Sequence, residues 1–161
     1  MSARSEFSSH GDFLRELTLP DDDLHPRHVI QTCSGQFIVC HGEVGDPVNR
    51  LRMMSADGRH IVHSHGGELG SDAGQYHVPI CCKPVYMAVD DNEFVFVADP
   101  NNRRVKLLSP TLHYVREVVS HNQLKWWPWR LCLDTIRRQL YISDTALGSG
   151  ESSGRVVVVR L

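Results

Sequence analysis

The chain has 161 residues, 41% of them hydrophobic, with 17 Lys and Arg against 19 Asp and Glu for a formal charge of −2. That length and apolar content suit one globular domain with its own core. The near balance of charge excludes the whole-domain basic footprint of most nucleic-acid binders and leaves room only for local basic patches.

Residues 1–11 are polar, with neither an apolar signal core nor a small-residue cleavage site, and are expected to be disordered. No segment holds 18 uninterrupted apolar residues, so no membrane contact is expected and the chain is placed in the cytoplasm. Five cysteines (Cys33, Cys40, Cys81, Cys82 and Cys132) in no regular framework agree with reduced thiols there. Residues 12–19 read as an orphan outer strand, the last strand of a blade whose others are missing.

From residue 26 onward one series of events recurs three times, and the middle copy is the clearest. Pro84 precedes an apolar run ending at Asp90, a turn at Asp91-Asn92, a second run over 94–98 ending at Asp99, then Asn101-Asn102-Arg103 and further runs over 105–108 and 114–119. Short runs rich in Val, Phe and Tyr, bounded by Asp, Asn, Ser and Pro, predict β-strands joined by tight turns, here over 84–90, 94–99, 103–109 and 114–120. The later copy starts at Pro128, with runs over 130–134, 140–144 and 155–161; the earlier starts at Pro26, with runs over 29–32, 37–41, 50–55 and 60–63.

Pro84 and Pro128 are 44 residues apart, and Asp99 and Asp144 are 45 apart. This is the period of four-stranded propeller blades. Pro26 and Pro84 are 58 apart, which calls for insertions over 42–48 and 66–77. The expected fold class is all-β: a β-propeller region over 12–161, with about three blades at 26–65, 84–120 and 128–161. No window sustains helical spacing.

The stretch KPVYMAVDDNEFVFVADPNNRRVKLL, residues 83–108, resembles an NHL repeat: the Pro, the Asp after the first run, the Ala-Asp after the second and the Asn-Arg pair fall in order. WWPWRLCLDTIRRQLYISDT, residues 126–145, is a second match, and HPRHVIQTCSGQFIVCHG, residues 25–42, is a third with His41 in the place of the Asp. The family resembled builds six-bladed propellers at the C-termini of tripartite-motif proteins and in related invertebrate proteins. Three blades would then be a partial propeller or one half of a homodimer completing six. The resemblance implies a non-catalytic module that presents a propeller face to a protein partner. RNA binding is the alternative, and a metal-dependent lactonase or lyase of similar architecture is the enzymatic one. Ubiquitin-ligase activity would need a RING segment, whose Cys/His spacing is absent here.

Asp99, Asn102, Arg103 and Asp144 are read as structural turn residues, since Asx side chains bond turn backbone and Arg finds a neighbouring carboxylate or carbonyl. Arg50, Arg52, Arg104 and Lys106 form the candidate basic surface. Arg104 and Lys106 share one face of their strand, opposite Val105 and Leu107. Trp126 and Trp127, with Trp129, are the aromatic candidates, either as a binding platform or as packing between blades. His60, His63 and His65 lie close in sequence but lack zinc-ligand spacing, so neither metal, cofactor nor catalytic residue is assigned. With three blades, an apolar face such as that of Phe94, Phe96 and Val105, or the equivalent face of an end blade, is expected to lie open and to drive association.

Overall fold

The computed structural model describes residues 3–7, 10–18, 26–41, 50–65, 86–146 and 153–161. The expected insertions over 42–48 and 66–77, the start of the middle copy at Pro84, Cys81-Cys82 and most of the Gly/Ser loop near 148–152 lie outside them. Described residues form β-strands and one 3-10 turn, Pro100–Asn102.

Ala3–Phe7 (β1) and Phe13–Thr18 (β2) pair as an antiparallel hairpin, with Ala3 opposite Thr18. The segment expected to be disordered thus carries a strand, and the expected outer strand over 12–19 pairs with it. Strands rarely persist unpaired, because their backbone donors and acceptors need satisfying.

The first full sheet contains Pro26–Gln31 (β3), Phe37–His41 (β4), Arg50–Met54 (β5) and Ile61–His65 (β6), hydrogen-bonded in chain order. The second contains Met87–Val89 (β7), Val95–Asp99 (β8), Arg104–Leu108 (β9) and Tyr114–Val119 (β10), also in order. Trp127–Asp134 (β11), Gln139–Thr145 (β12) and Gly154–Arg160 (β13) make a three-stranded third sheet.

Four of the connecting turns share one construction. The N–H of Gly35, Gly58, Glu93 and Leu112 bonds back to the carbonyl of Thr32, Ser55, Asp90 and Ser109, and each donor residue has positive φ. This is a type I turn closed by a left-handed residue, which matches the twist of the strands it joins. Asp90 reinforces its turn by accepting the N–H of Asn92 and Phe94 at Oδ1.

Strand alternation explains how the sheets stack. Val95, Val97 and Leu108 on one face of the second sheet pack with Ile38, Cys40, Leu51 and Met53 of the first. Phe96 and Val105 on its other face pack with Leu140 and Ile142 of the third. The second sheet is therefore filled on both sides, and each fully buried side chain of this size contributes about 1.5–3 kcal/mol. The face of Phe96 and Val105, expected to be open, is buried because the third sheet covers it. The open apolar face is that of an end sheet, the other expectation: on the third sheet Val156 and Val158 are 65% and 51% exposed.

Candidate binding site

Each sheet begins with the strand at one of its edges, and these three first strands pack together, β7 against both β3 and β11. The tryptophan candidates and the turn residues that hold them gather on and around β11.

Asp144, on β12, is completely buried. Its Oδ2 accepts the backbone N–H of Lys125 at 2.9 Å and its Oδ1 that of Trp126 at 2.7 Å. Arg155, its neighbour on β13, donates from Nε to Oδ2 at 2.8 Å. Burial alone would push this carboxyl up. The Arg155 bond and the two backbone N–H groups outweigh it and hold the carboxyl below its ordinary range.

Arg103 grips the same turn from the other side. Its backbone is left-handed, at φ 49° and ψ 49°, which places the residue just past the 3-10 turn. The guanidinium then donates to the carbonyls of Leu124 at 2.7 Å, Lys125 at 2.9 Å and Trp126 at 3.3 Å. Every bond in the set is charge-assisted. The turn carries Trp126, half-buried, with the Lys125 ammonium 4.5 Å above its ring. Trp127 begins β11 beside it, also half-buried. Trp129 sits where the register of β11 against β12 shifts, and its buried indole N–H has no acceptor among the described residues.

The basic candidates do not form one surface. Arg104 lies 3.0 Å from Asp99 and 3.7 Å from Glu117, and Lys106 lies 3.5 Å from Asp99; their side chains are only 17% and 13% exposed. Both share the face of the second sheet that turns toward the first, with Val97 paired to Lys106 and Asp99 to Arg104. Arg50 and Arg52 pair with His41 and Val39, on the face of the first sheet that looks away from the second. A sheet's thickness separates the two pairs. Asn102 Nδ2 also binds Asp99, at 2.9 and 3.1 Å, so Asp99 is the hub of a local polar cluster.

Three residues that the sequence reading did not single out meet across the first strands. The Arg130 guanidinium stacks 4.3 Å from the centre of the Tyr86 ring. The His28 ring lies 4.5 Å from that ring, tilted by 36°, and His28 Nδ1 accepts the N–H of Met87 at 3.2 Å. A signal was present in the sequence: His28, Tyr86 and Arg130 each stand two residues after Pro26, Pro84 and Pro128, at one repeat position.

Among the described residues no group of three His, Cys, Asp or Glu is placed to hold a metal ion, and no helix is long and apolar enough to cross a membrane. No family model matches the chain. No curated protein matches it either. Among solved structures it is similar to a protein of unknown function from Bacteroides caccae, at 11% identity and a TM-score of 0.55 over 96% of this chain. The likeness is one of fold, and the chain spans about half, 53%, of that structure's length.

Proposed function

We propose that the chain is a non-catalytic, cytoplasmic binding module, a part of an NHL-type β-propeller that presents a loop face to a protein partner. The observation that carries this reading is the turn over 124–126, held by Asp144 at two amides and by Arg103 at three carbonyls. A surface turn held this firmly keeps an aromatic side chain fixed before any partner arrives, which lowers the entropy cost of association. Trp, Tyr and Arg are also the residue types that carry most interface energy. The exposed face of Val156 and Val158, together with a span of about half the similar structure, supports a second copy of the chain as the element that completes the ring. Arg104 and Lys106 are engaged by Asp99, which leaves RNA the less supported ligand.

The test is to pan the immobilised full chain against a random peptide display library and a structured RNA library, alongside Trp126→Ala. That substitution keeps the backbone N–H that Asp144 accepts, so the turn survives. Peptides should be enriched by the wild type and bind the variant at least tenfold more weakly, about 1.4 kcal/mol. Equal binding by the variant, or enrichment of RNA alone, contradicts the proposal.

A further inference from the structure

A second site, independent of the tryptophan turn, lies where the first strands meet. Arg130 is solvent-exposed on β11, and among the described residues no carboxylate stands within ion-pair distance of it. The guanidinium is nevertheless not loose. Its Cζ lies over the Tyr86 ring, 4.3 Å from the centre, and the His28 ring beside Tyr86 is itself tied through Nδ1 to the backbone of β7. Three sheets thus contribute one residue each to the row, and Arg130 is its permanent cation.

Stacking on an aromatic face occupies the π surface of a guanidinium and leaves its in-plane N–H groups facing outward. Two such parallel donors match the two oxygens of a carboxylate. The charge points the same way: one guanidinium balances a monoanion, whereas a phosphate dianion calls for further cations. We infer that the row Arg130, Tyr86 and His28 is a recognition site for a carboxylate, supplied by a small organic acid or by the C-terminus of a peptide.

The site can be tested by following the side-chain Nε–H signal of Arg130 in a proton–nitrogen NMR spectrum of the full chain. The signal is assigned by its loss in Arg130→Lys. The probes are acetate, acetamide, inorganic phosphate, and acetyl-triglycine with a free or an amidated C-terminus. Acetate and the free-acid peptide should shift the signal saturably, and acetamide and the amidated peptide should not. Tighter binding by the peptide would assign the carboxylate to a chain end, and equal binding to a small acid. Arg130→Lys keeps the charge but loses the stacked fork, and should weaken carboxylate binding at least tenfold, followed through the backbone amides of β7 and β11. Tyr86→Leu should weaken it severalfold while the remaining spectrum stays dispersed. No saturable shift, phosphate binding more tightly than acetate, or unchanged affinity in Arg130→Lys would overturn the assignment.

Discussion

Asp144 and Arg155 face each other across β12 and β13, and only one of them is out of water: the carboxylate is wholly buried while the arginine side chain is 46% exposed. The pair therefore behaves asymmetrically. Removing the carboxylate leaves an arginine that solvent can hydrate, but strands the N–H groups of Lys125 and Trp126. Asp144→Ala should cost about 2–4 kcal/mol, from lost bonds to a charged acceptor and newly unpaired donors. Arg155→Ala should cost less, since the two amides still satisfy the carboxylate. Urea denaturation at pH 7 orders the two variants.

The same pair sets a pH dependence. The folded carboxyl titrates below its unfolded value, so the unfolded chain takes up the proton first as pH falls. The contribution is complete above the ordinary carboxylate range and is lost as pH drops from there through the folded pKa. Wild-type stability, measured by denaturant titration from pH 7 to pH 2, should fall along this limb, and Asp144→Asn should show a shallower fall. Parallel curves for the two proteins would contradict the role assigned to Asp144.

Arg103 combines an unfavourable backbone with three carbonyl bonds. Arg103→Ala keeps the left-handed conformation and loses the bonds, whereas Arg103→Gly loses the bonds but relieves the backbone. The glycine variant should be the more stable of the two by about 1 kcal/mol in thermal or urea unfolding. An alanine variant as stable as wild type would show that the guanidinium does not hold the turn.

Much of the fold was legible because two signals agreed. The runs rich in Val and Phe located β8, β9, β10 and β12 to within a residue or so, and Asp99 and Asp144 marked the ends of second strands. The N-terminal hairpin was missed because β1, ARSEF, has neither clear alternation nor a run of β-branched residues. Pro128 concealed the start of β11, which begins one residue earlier; at a sheet edge a missing N–H costs no ladder bond. The site was harder. Alternation gave the shared face of Arg104 and Lys106, but not that this face turns toward another sheet, where Asp99 gathers both cations. His28, Tyr86 and Arg130 share one repeat position, two residues after a proline, but that they meet depends on how first strands pack, which runs of residues do not encode.

Arg104 and Lys106 should accordingly matter to stability more than to nucleic-acid affinity. Arg104→Gln with Lys106→Gln leaves Asp99 with Asn102 alone and should cost about 1–3 kcal/mol in urea unfolding. Any weak RNA binding should keep its slope against salt concentration in a filter-binding or shift assay. A slope reduced by about two would restore these residues as phosphate contacts.

The inter-sheet cores and the open face should respond to substitution in opposite ways. Phe96→Ala, between the second and third sheets, should cost about 3–5 kcal/mol. Val158→Lys, on the open face, should change monomer stability by about 0.5 kcal/mol or less. If a second copy covers that face, multi-angle light scattering should show a two-chain particle for wild type and a single chain for Val158→Lys. A wild-type monomer would remove the dimer from the account.

On the proposed function, the turn bearing Trp126 is built before any partner binds, with a buried carboxylate as its anchor. Amide hydrogen exchange at Lys125 and Trp126 tests it most directly, because both N–H groups end on Asp144 and neither belongs to a strand ladder. In wild type these two amides should be protected to the level of β12, and in Asp144→Asn their exchange should accelerate at least tenfold more than that of β8. Exchange at rates typical of an open loop in the wild-type chain would contradict the claim.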